Sequence, residues 1–195
     1  MKGFSALGII GVLAIGGCAK PTVAELEKAL DHFEPESLAA VYGDGRYSVY
    51  MDDRKRDLLA ACLARKGKPG IQALIGLFGS ESTIRASYNE SFFGDGNYVI
   101  QGDMSGKRYK RHTYEVGDAA RDAIVAIGPP AVPALSEALA DSQQLVRQRA
   151  IEALATIGPP AASALPLLEK LAGTSKKDSG LAHDAIYKIR SKAGR

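Results

Sequence analysis

The pentapeptide Ile127-Gly128-Pro129-Pro130-Ala131 returns after 30 residues as Ile157-Gly158-Pro159-Pro160-Ala161. An apolar stripe at helical spacing precedes each copy: Val116, Ala120, Ala123, Ile124 and Ile127 in the first, and Val146, Ala150, Ala153, Leu154 and Ile157 in the second. Such stripes predict amphipathic helices. Because glycine can end a helix in the left-handed C′ conformation and proline fits the first turn of a new helix, each unit is predicted to be a helical hairpin.

Further copies extend this pattern in both directions. The second helices of the two clear units place apolar residues on one face: Val132, Leu135, Ala138 and Leu139, then Ala162, Leu165 and Leu168. A degenerate copy at Ala182, Ala185, Ile186 and Ile189 lacks a second helix and is expected to close the array. An earlier copy surrounds Gly67-Lys68-Pro69-Gly70, with Lys66 in the place of the isoleucine, and Ile84-Arg85 after Glu81 echoes the opening of a unit.

These units resemble HEAT repeats of the short kind found in phycobilisome-lyase-like proteins, with Asp141 and Val146-Arg147 ahead of an alanine-rich helix and Ile-Gly-Pro-Pro. The resemblance covers residues 54–93 and 116–190 and is strongest over 118–171. It implies an all-α fold, a right-handed α-solenoid of about three to four helical-hairpin repeats. It is specific for architecture and says little about activity.

Residues 94–117 depart from the repeat and combine β-prone runs with a Gly/Asp/Ser turn, which predicts a small β-hairpin insertion. The stretch YGDGRYSV at 42–49 also matches FGDGNYVI at 93–100 in its aromatic, Gly-Asp-Gly, tyrosine and aliphatic positions. We therefore consider the hypothesis that these two segments pair in one small sheet.

Residues 1–17 read MKGFSALGIIGVLAIGG, which has the layout of a signal peptide. Ile15-Gly16-Gly17-Cys18 resembles the lipobox of bacterial lipoproteins. The resemblance implies a diacylglycerol on the Cys18 sulfur, cleavage after Gly17 and an acylated α-amine. It also implies a lipid-anchored protein of the bacterial cell envelope, and Ala19 favours the periplasmic side of the outer membrane in a two-membrane cell. An ordinary cleaved signal and a retained anchor are the alternatives.

These observations together predict how the chain is divided into segments. The predicted organisation is a signal peptide at 1–17, a lipidated tether at 18–21, an N-terminal helical segment with a short strand at 22–53, degenerate HEAT-like repeats at 54–93, the hairpin insertion at 94–117, and HEAT-like repeats with a closing helix at 118–195. Thr22-Val23-Ala24-Glu25 predicts a capping box that opens a helix reaching about Phe33. The domain is therefore expected to lie close to the bilayer surface.

One local concentration of positive charge stands out at Lys107, Arg108, Tyr109, Lys110, Arg111 and His112. Edge strands commonly carry such cations because they block aggregation. Binding of anionic lipid, envelope polymer or an acidic protein surface is the alternative. Removal of residues 1–17 takes away Lys2 and leaves 24 Lys+Arg against 22 Asp+Glu, a net charge of +2. This balance and the export signal argue against a nucleic-acid partner.

No residue pattern predicts catalysis, a metal site or a cofactor. The histidines His32, His112 and His183 form neither an H-E-x-x-H nor a C-x-x-C arrangement. The Gly-Asp-Gly elements at Asp44 and Asp95 lack the spacing of a calcium loop and are explained by turn chemistry. Cys62 lies in an apolar run and is expected to be a buried, unreactive thiol.

Three functions remain open. The first is a non-enzymatic, membrane-tethered scaffold that binds an unknown protein partner in the envelope, because stacked hairpins offer an extended surface. The second, a chromophore or cofactor lyase, is implied only by the resemblance to phycobilisome-lyase-like proteins. The third is lipid or polymer binding through the basic segment 107–112.

Overall fold

The computed structural model describes residues 6–13, 22–43, 53–89 and 109–191. Helices dominate this part of the chain, accompanied by one two-stranded ladder. The helices are α1 (Ala6–Leu13), α2 (Val23–Leu30), α3 (Pro35–Gly43), α4 (Asp53–Arg65), α5 (Lys68–Ile75), α6 (Val116–Ile127), α7 (Val132–Ala138), α8 (Gln144–Ile157), α9 (Leu165–Thr174) and α10 (Ser179–Ser191). The strands are β1 (Thr83–Asn89) and β2 (Tyr109–Glu115).

Three helical hairpins share one turn, which follows the first helix of each pair. Gly67, Gly128 and Gly158 have φ values of 65°, 74° and 75°, and a proline lies in the first turn of the helix that follows each of them. These glycines have the positive φ of the predicted left-handed C′ conformation, but ψ values of −138° to −137° place all three outside the left-handed helical region, so that part of the prediction is wrong. Only glycine adopts this combination readily, so the turn depends on it.

The apolar stripes of the two clear units are confirmed as the core faces of α6 and α8. Val116, Ala120, Ile124 and their counterparts in α8 are buried, and Ile127 and Ile157 pack at the edge of the core. The prediction for Ala162 is wrong because residues 159–164 form a 3₁₀ helix, whose tighter winding buries Ala161 and Ala164 instead. The closing copy is confirmed by the burial of Ala182, Ala185, Ile186 and Ile189 in α10.

The early copy is a hairpin of α4 and α5, but it is shorter than predicted. Leu59, Cys62, Leu63, Ile71 and Leu74 are buried in it. The segment around Ile84-Arg85 does not open another helical unit; it is strand β1, and the repeats predicted for 54–93 therefore end before residue 83. β-branched residues at 83 and 84 favour an extended backbone over a helix.

The two strands form an antiparallel ladder that runs from Thr83 opposite Glu115 to Asn89 opposite Tyr109. β2 lies in the segment predicted as an insertion, whereas its partner β1 lies before that segment. Residues 90–108, which contain the predicted turn, are outside the described residues. The hypothesis that 42–49 pairs with 93–100 is not supported at its start, because residues 42 and 43 end helix α3; positions 44–49 and 93–100 are themselves outside the description.

At the N-terminal end, the predicted capping box is confirmed at Thr22 and Glu25. Helix α2 ends at Leu30 rather than Phe33, and Pro35 begins α3. Proline fits the first helical turn because its missing N–H would be unpaired there. Among the described residues, no helix is long and apolar enough to cross a membrane. Residues 14–21, which include Cys18, are outside the description.

Ion pairs connect successive units at a spacing close to that of the repeat. Arg121 binds Glu152 at 2.7 Å, Arg149 binds Asp118 at 3.1 Å and Arg147 binds Asp178 at 2.9 Å, and each pair is 31 residues apart. Helix α6 packs on α8 and α8 on α10. The described residues thus form a stacked helical array, the architecture expected of a solenoid; its handedness stays a prediction.

Candidate functional site

A groove of about 710 Å³ lies between α4 and α6, the first helices of neighbouring hairpins. Residues 139–143 suffice to connect α7 with α8, whereas the chain passes through residues 76–115 between α5 and α6. In the regular part, α6 packs along α8. The groove therefore marks the junction between the early hairpin and the regular repeats.

Small apolar side chains form both walls of this groove. They are Ala60, Ala61 and Ala64 on α4, and Ala119, Ala123, Ala126 and Ile127 on α6. Residues three and four apart share a face of a helix, so each set forms one continuous stripe. Tyr42 of α3 also lines the groove, and its hydroxyl donates to the Ala119 carbonyl oxygen at 2.8 Å. The surface offers apolar contact with few long side chains in the way.

Carboxylates predominate on the rim. Among the described residues, Asp57, Asp118 and Asp122 line the groove together with one cation, Arg65. The Arg65 guanidinium is itself bound to Asp31 at 3.0 Å and to Glu27 at 3.4 Å. The Asp122 side chain is 71% exposed, so its charge faces solvent. The described lining of the groove thus combines apolar walls with charged side chains whose formal sum is negative.

Arg121 holds the rim carboxylates of α6 in place. It binds Asp118 at 3.3 Å and Asp122 at 3.0 Å, besides its pair with Glu152. Burial would lower the pKa of Arg121, but its hydrogen bonds to Asp122 and Glu152 outweigh this effect and raise it. The guanidinium therefore keeps its charge throughout the physiological range and fixes the orientation of the carboxylates.

Cys62 lies on the core side of α4, close to the groove. It is buried, and Arg65 donates to its sulfur at 3.1 Å. Burial raises the pKa of the Cys62 thiol, and the smaller opposing effect of the Arg65 charge does not reverse this. Since the thiolate is the nucleophilic form, the environment keeps Cys62 protonated and unreactive at neutral pH.

Arg149 of α8 joins the regular repeats to the base of the ladder. Its side chain is only 4% exposed. It donates to the carbonyl oxygens of Phe78 and Ser80 and to the carboxylates of Glu115 and Asp118. One buried guanidinium therefore satisfies two carbonyl groups of the chain leading into β1 and two carboxylates, one at the end of β2 and one in the first turn of α6.

A second groove, of about 510 Å³, lies between α6, α8 and α10. Its lining carries both signs of charge, with Arg121 and Lys188 beside Asp122, Glu152 and Asp184. Because two cations stand among three carboxylates, the described lining presents no surface of a single sign to a partner.

The residues singled out from sequence do not meet in this site. Cys18, Lys107 and Arg108 are outside the described residues. Tyr109, Lys110, Arg111 and His112 lie on β2, opposite Asn89, Tyr88, Ser87 and Ala86 of β1. In the described part of the chain, no group of three or more His, Cys, Asp or Glu residues is arranged to hold a metal ion.

The groove and the Arg149 node were missed in the sequence. The alanines of α4 and α6 are common helix-forming residues and do not indicate a groove individually. Only their recurrence on one face of each helix could have predicted a groove wall. Arg149 stands in a helix with many polar residues, and its burial depends on carbonyl groups about 70 residues away in the chain. The spacing of apolar residues within a helix does not indicate contacts with such distant segments.

Residues 110–188 match the family model for HEAT repeats. No curated protein matches the chain. The matched segment begins in β2 and ends in α10, so it contains the two clear hairpins and nearly all of the closing helix. This part of the chain therefore consists of HEAT-like helical repeats.

Proposed function

We propose that this protein is a lipid-anchored scaffold of the bacterial cell envelope, and that the groove between α4 and α6 binds a helical segment of a protein partner. The observation that carries the proposal is the groove itself. It has a volume of about 710 Å³, is lined largely by apolar side chains and lies on a HEAT-like array. Solenoids of stacked hairpins characteristically bind other proteins along such surfaces.

The shape and chemistry of the groove favour an amphipathic helix as the occupant. Alanine walls allow a third helix to approach closely, in the manner of helix-in-groove recognition. The Asp122 carboxylate of the groove is bound by Arg121 but remains 71% exposed, and this exposed negative charge favours Lys or Arg at that edge of the bound helix. Rim contacts of this kind weaken as salt is added, because exposed charges are screened beyond about 10 Å at 0.1 M ionic strength.

Ala126→Arg tests the groove. Ala126 is exposed on the α6 wall, so arginine can extend into the groove without disturbing the core, and its charge repels a basic helix. The matched control is Ala140→Arg, at an exposed position that does not line the groove. The protein is purified from detergent-solubilised membranes, and the stoichiometry of any copurifying protein is measured for all three forms.

We expect one protein to copurify in stoichiometric amount with the unsubstituted protein and with Ala140→Arg, and we expect it to be absent from preparations of Ala126→Arg. Retention of the same partner by Ala126→Arg would place the binding surface elsewhere. A bound chromophore in place of a protein would support the lyase alternative.

The anchor has its own test. The Ile15-Gly16-Gly17-Cys18 sequence supports acylation of Cys18 and cleavage after Gly17. Two or more acyl chains hold a protein stably on a bilayer, whereas one gives marginal binding. Intact mass spectrometry of the membrane-derived protein should find an acylated N-terminus at residue 18, and Cys18→Ser should retain residues 1–17. An unmodified Cys18 behind an intact leader would refute the anchor.

A further inference from the structure

Helix α1 covers an apolar face built by α2 and α3. It packs against both helices. Ile9 at its centre has no exposed surface, and Val12 packs at the edge of the same core. The buried cluster that receives them includes Leu30, Phe33, Leu38 and Val41. This face therefore accommodates aliphatic side chains out of contact with solvent.

Phe33 lies directly beneath α1. A Cβ atom built on Gly8 would be 3.5 Å from Cε1 of the Phe33 ring, which is ordinary van der Waals contact. Phe33 is 8% exposed while α1 is present. Cleavage after Gly17 removes α1 from the protein and uncovers this ring and its surroundings. Contiguous apolar patches on a soluble surface mark interaction sites.

The tether limits what can replace α1. Four residue steps separate Cys18 from Thr22, the N-cap of α2, and an extended chain covers at most about 14 Å over this length. An acylated Cys18 lies at the bilayer surface, so α2 and its neighbour α3 must stay close to lipid. We infer that, in the processed protein, the face vacated by α1 contacts the acyl chains of the bilayer. This inference rests on the proposed anchor.

Charge does not oppose such contact on the α4 side of α2. Glu27 and Asp31 are both bound by Arg65 of α4, and the Lys66 ammonium donates to the Asp31 carbonyl oxygen at 2.8 Å. Both carboxylates therefore already have a cationic partner. If the domain approaches lipid and they lose hydration, their charges remain paired, which lowers the cost of desolvation. The contact depends on apolar area rather than on anionic head groups.

The unsubstituted, membrane-derived protein can be tested directly. It is reconstituted into phosphatidylcholine vesicles that contain a phosphatidylcholine with a photoactivatable diazirine in one acyl chain. Flotation and intact mass establish whether the protein is anchored. After illumination, lipid adducts are mapped on tryptic peptides, with 29–46 reporting on the α2–α3 face and 178–188 serving as the control from α10.

We expect several-fold more adducts in 29–46 than in 178–188. If the protein floats with the vesicles but adducts are absent from 29–46, or are equally frequent in both peptides, the anchor is supported and the inferred contact with acyl chains is wrong. Protein that does not float and retains residues 1–17 refutes the anchor, and the lipid contact falls with it. The two failures therefore have different signatures.

A second measurement uses the absence of tryptophan from the chain. Phe33→Trp introduces a sole indole at the face, and Tyr187→Trp introduces one at a residue of α10 that is 73% exposed. Lipids brominated in their acyl chains should quench the fluorescence of the first variant and leave that of the second unchanged. The measured quantity is the fluorescence of each variant in brominated vesicles relative to its own fluorescence in unbrominated vesicles, and equal fractional quenching of the two variants contradicts the inference.

Discussion

Among single residues, Arg149 shows how a buried charge can organise a helical repeat. A guanidinium removed from water is costly unless its donors are satisfied. Here four acceptors surround it, and two of them, Glu115 and Asp118, remain about 40–45% exposed and keep part of their hydration. The arrangement fixes the path of the chain into β1, because the carbonyl groups of Phe78 and Ser80 have Arg149 as a donor.

Arg149→Ala should lower the free energy of unfolding by about 2–4 kcal/mol, because it leaves carbonyl groups without their donor and breaks a buried ion pair. Arg190→Ala is the matched control: Arg190 also binds a carboxylate, Glu169, but its side chain is 61% exposed. An exposed pair contributes at most ~1 kcal/mol. Urea unfolding midpoints measure both effects, and equal losses in the two variants would show that burial of Arg149 has no energetic importance.

Gly117→Ala should also destabilise the protein. A Cβ atom at this position would overlap the Arg149 guanidinium, which is held by four partners and cannot move away freely. Gly173→Ala, in α9, meets no atom within 4 Å and should stabilise the helix by about 0.5–1 kcal/mol. Thermal unfolding distinguishes the two by opposite shifts of Tm. A stabilised Gly117→Ala variant would mean that the Arg149 node adapts easily.

Among the elements, α2 is the one whose beginning depends most clearly on local polar contacts. The Thr22 N–H donates to the Glu25 carboxylate at 2.7 Å, and the Glu25 N–H donates to the Thr22 hydroxyl at 3.3 Å. The hydrogen bond from the Thr22 backbone lowers the pKa of Glu25. A carboxyl whose pKa is lower in the folded state stabilises that state at pH values above its unfolded pKa, and this contribution is lost as the pH falls through the folded pKa.

Thr22→Ala should therefore change the acid titration of Glu25. The Thr22 hydroxyl also donates to the Glu25 carboxylate at 2.9 Å, so its removal takes away one cause of the lowered pKa and moves the midpoint upward. The control is Thr156→Ala, since the Thr156 hydroxyl donates to the backbone carbonyl oxygen of Glu152 in α8, far from Glu25 along the chain. NMR titration of the Glu25 side chain measures the shift, and an unchanged midpoint in Thr22→Ala would contradict the role of the cap.

The elements also show which features a sequence can and cannot predict. The turns at Gly128 and Gly158 and the stripes before them were predictable, because helix endings and amphipathic faces depend on nearby residues. Ala162 was assigned to the wrong face because a 3₁₀ winding changes the register. β1 resembles the opening of another repeat, and its pairing with β2, from Thr83 with Glu115 to Asn89 with Tyr109, joins residues that are distant in sequence, which local periodicity does not encode.

For the whole molecule, stability is expected to vary along the array, because each unit of a solenoid packs only on its neighbours. Helix α8 lies between α6 and α10 and also contacts α7. Seven of its residues are buried, whereas only Leu168 is buried in α9. Helix α2 has α1 and α4 as its principal neighbours, so it should depend partly on a helix that the proposed cleavage after Gly17 would remove.

Amide hydrogen exchange should therefore be slowest in α8 and faster in α9 and α2, because opening free energies rise with the number of buried contacts that must break. The measurement is peptide-resolved exchange on the purified protein, with the order of protection read for these three helices. Arg149→Ala provides the internal control. By loosening the link between α8 and the ladder base, it should speed exchange at residues 116–127 and 144–157 more than at 165–174. Uniform protection in all three helices would indicate that the array opens as one cooperative unit, against the nearest-neighbour picture.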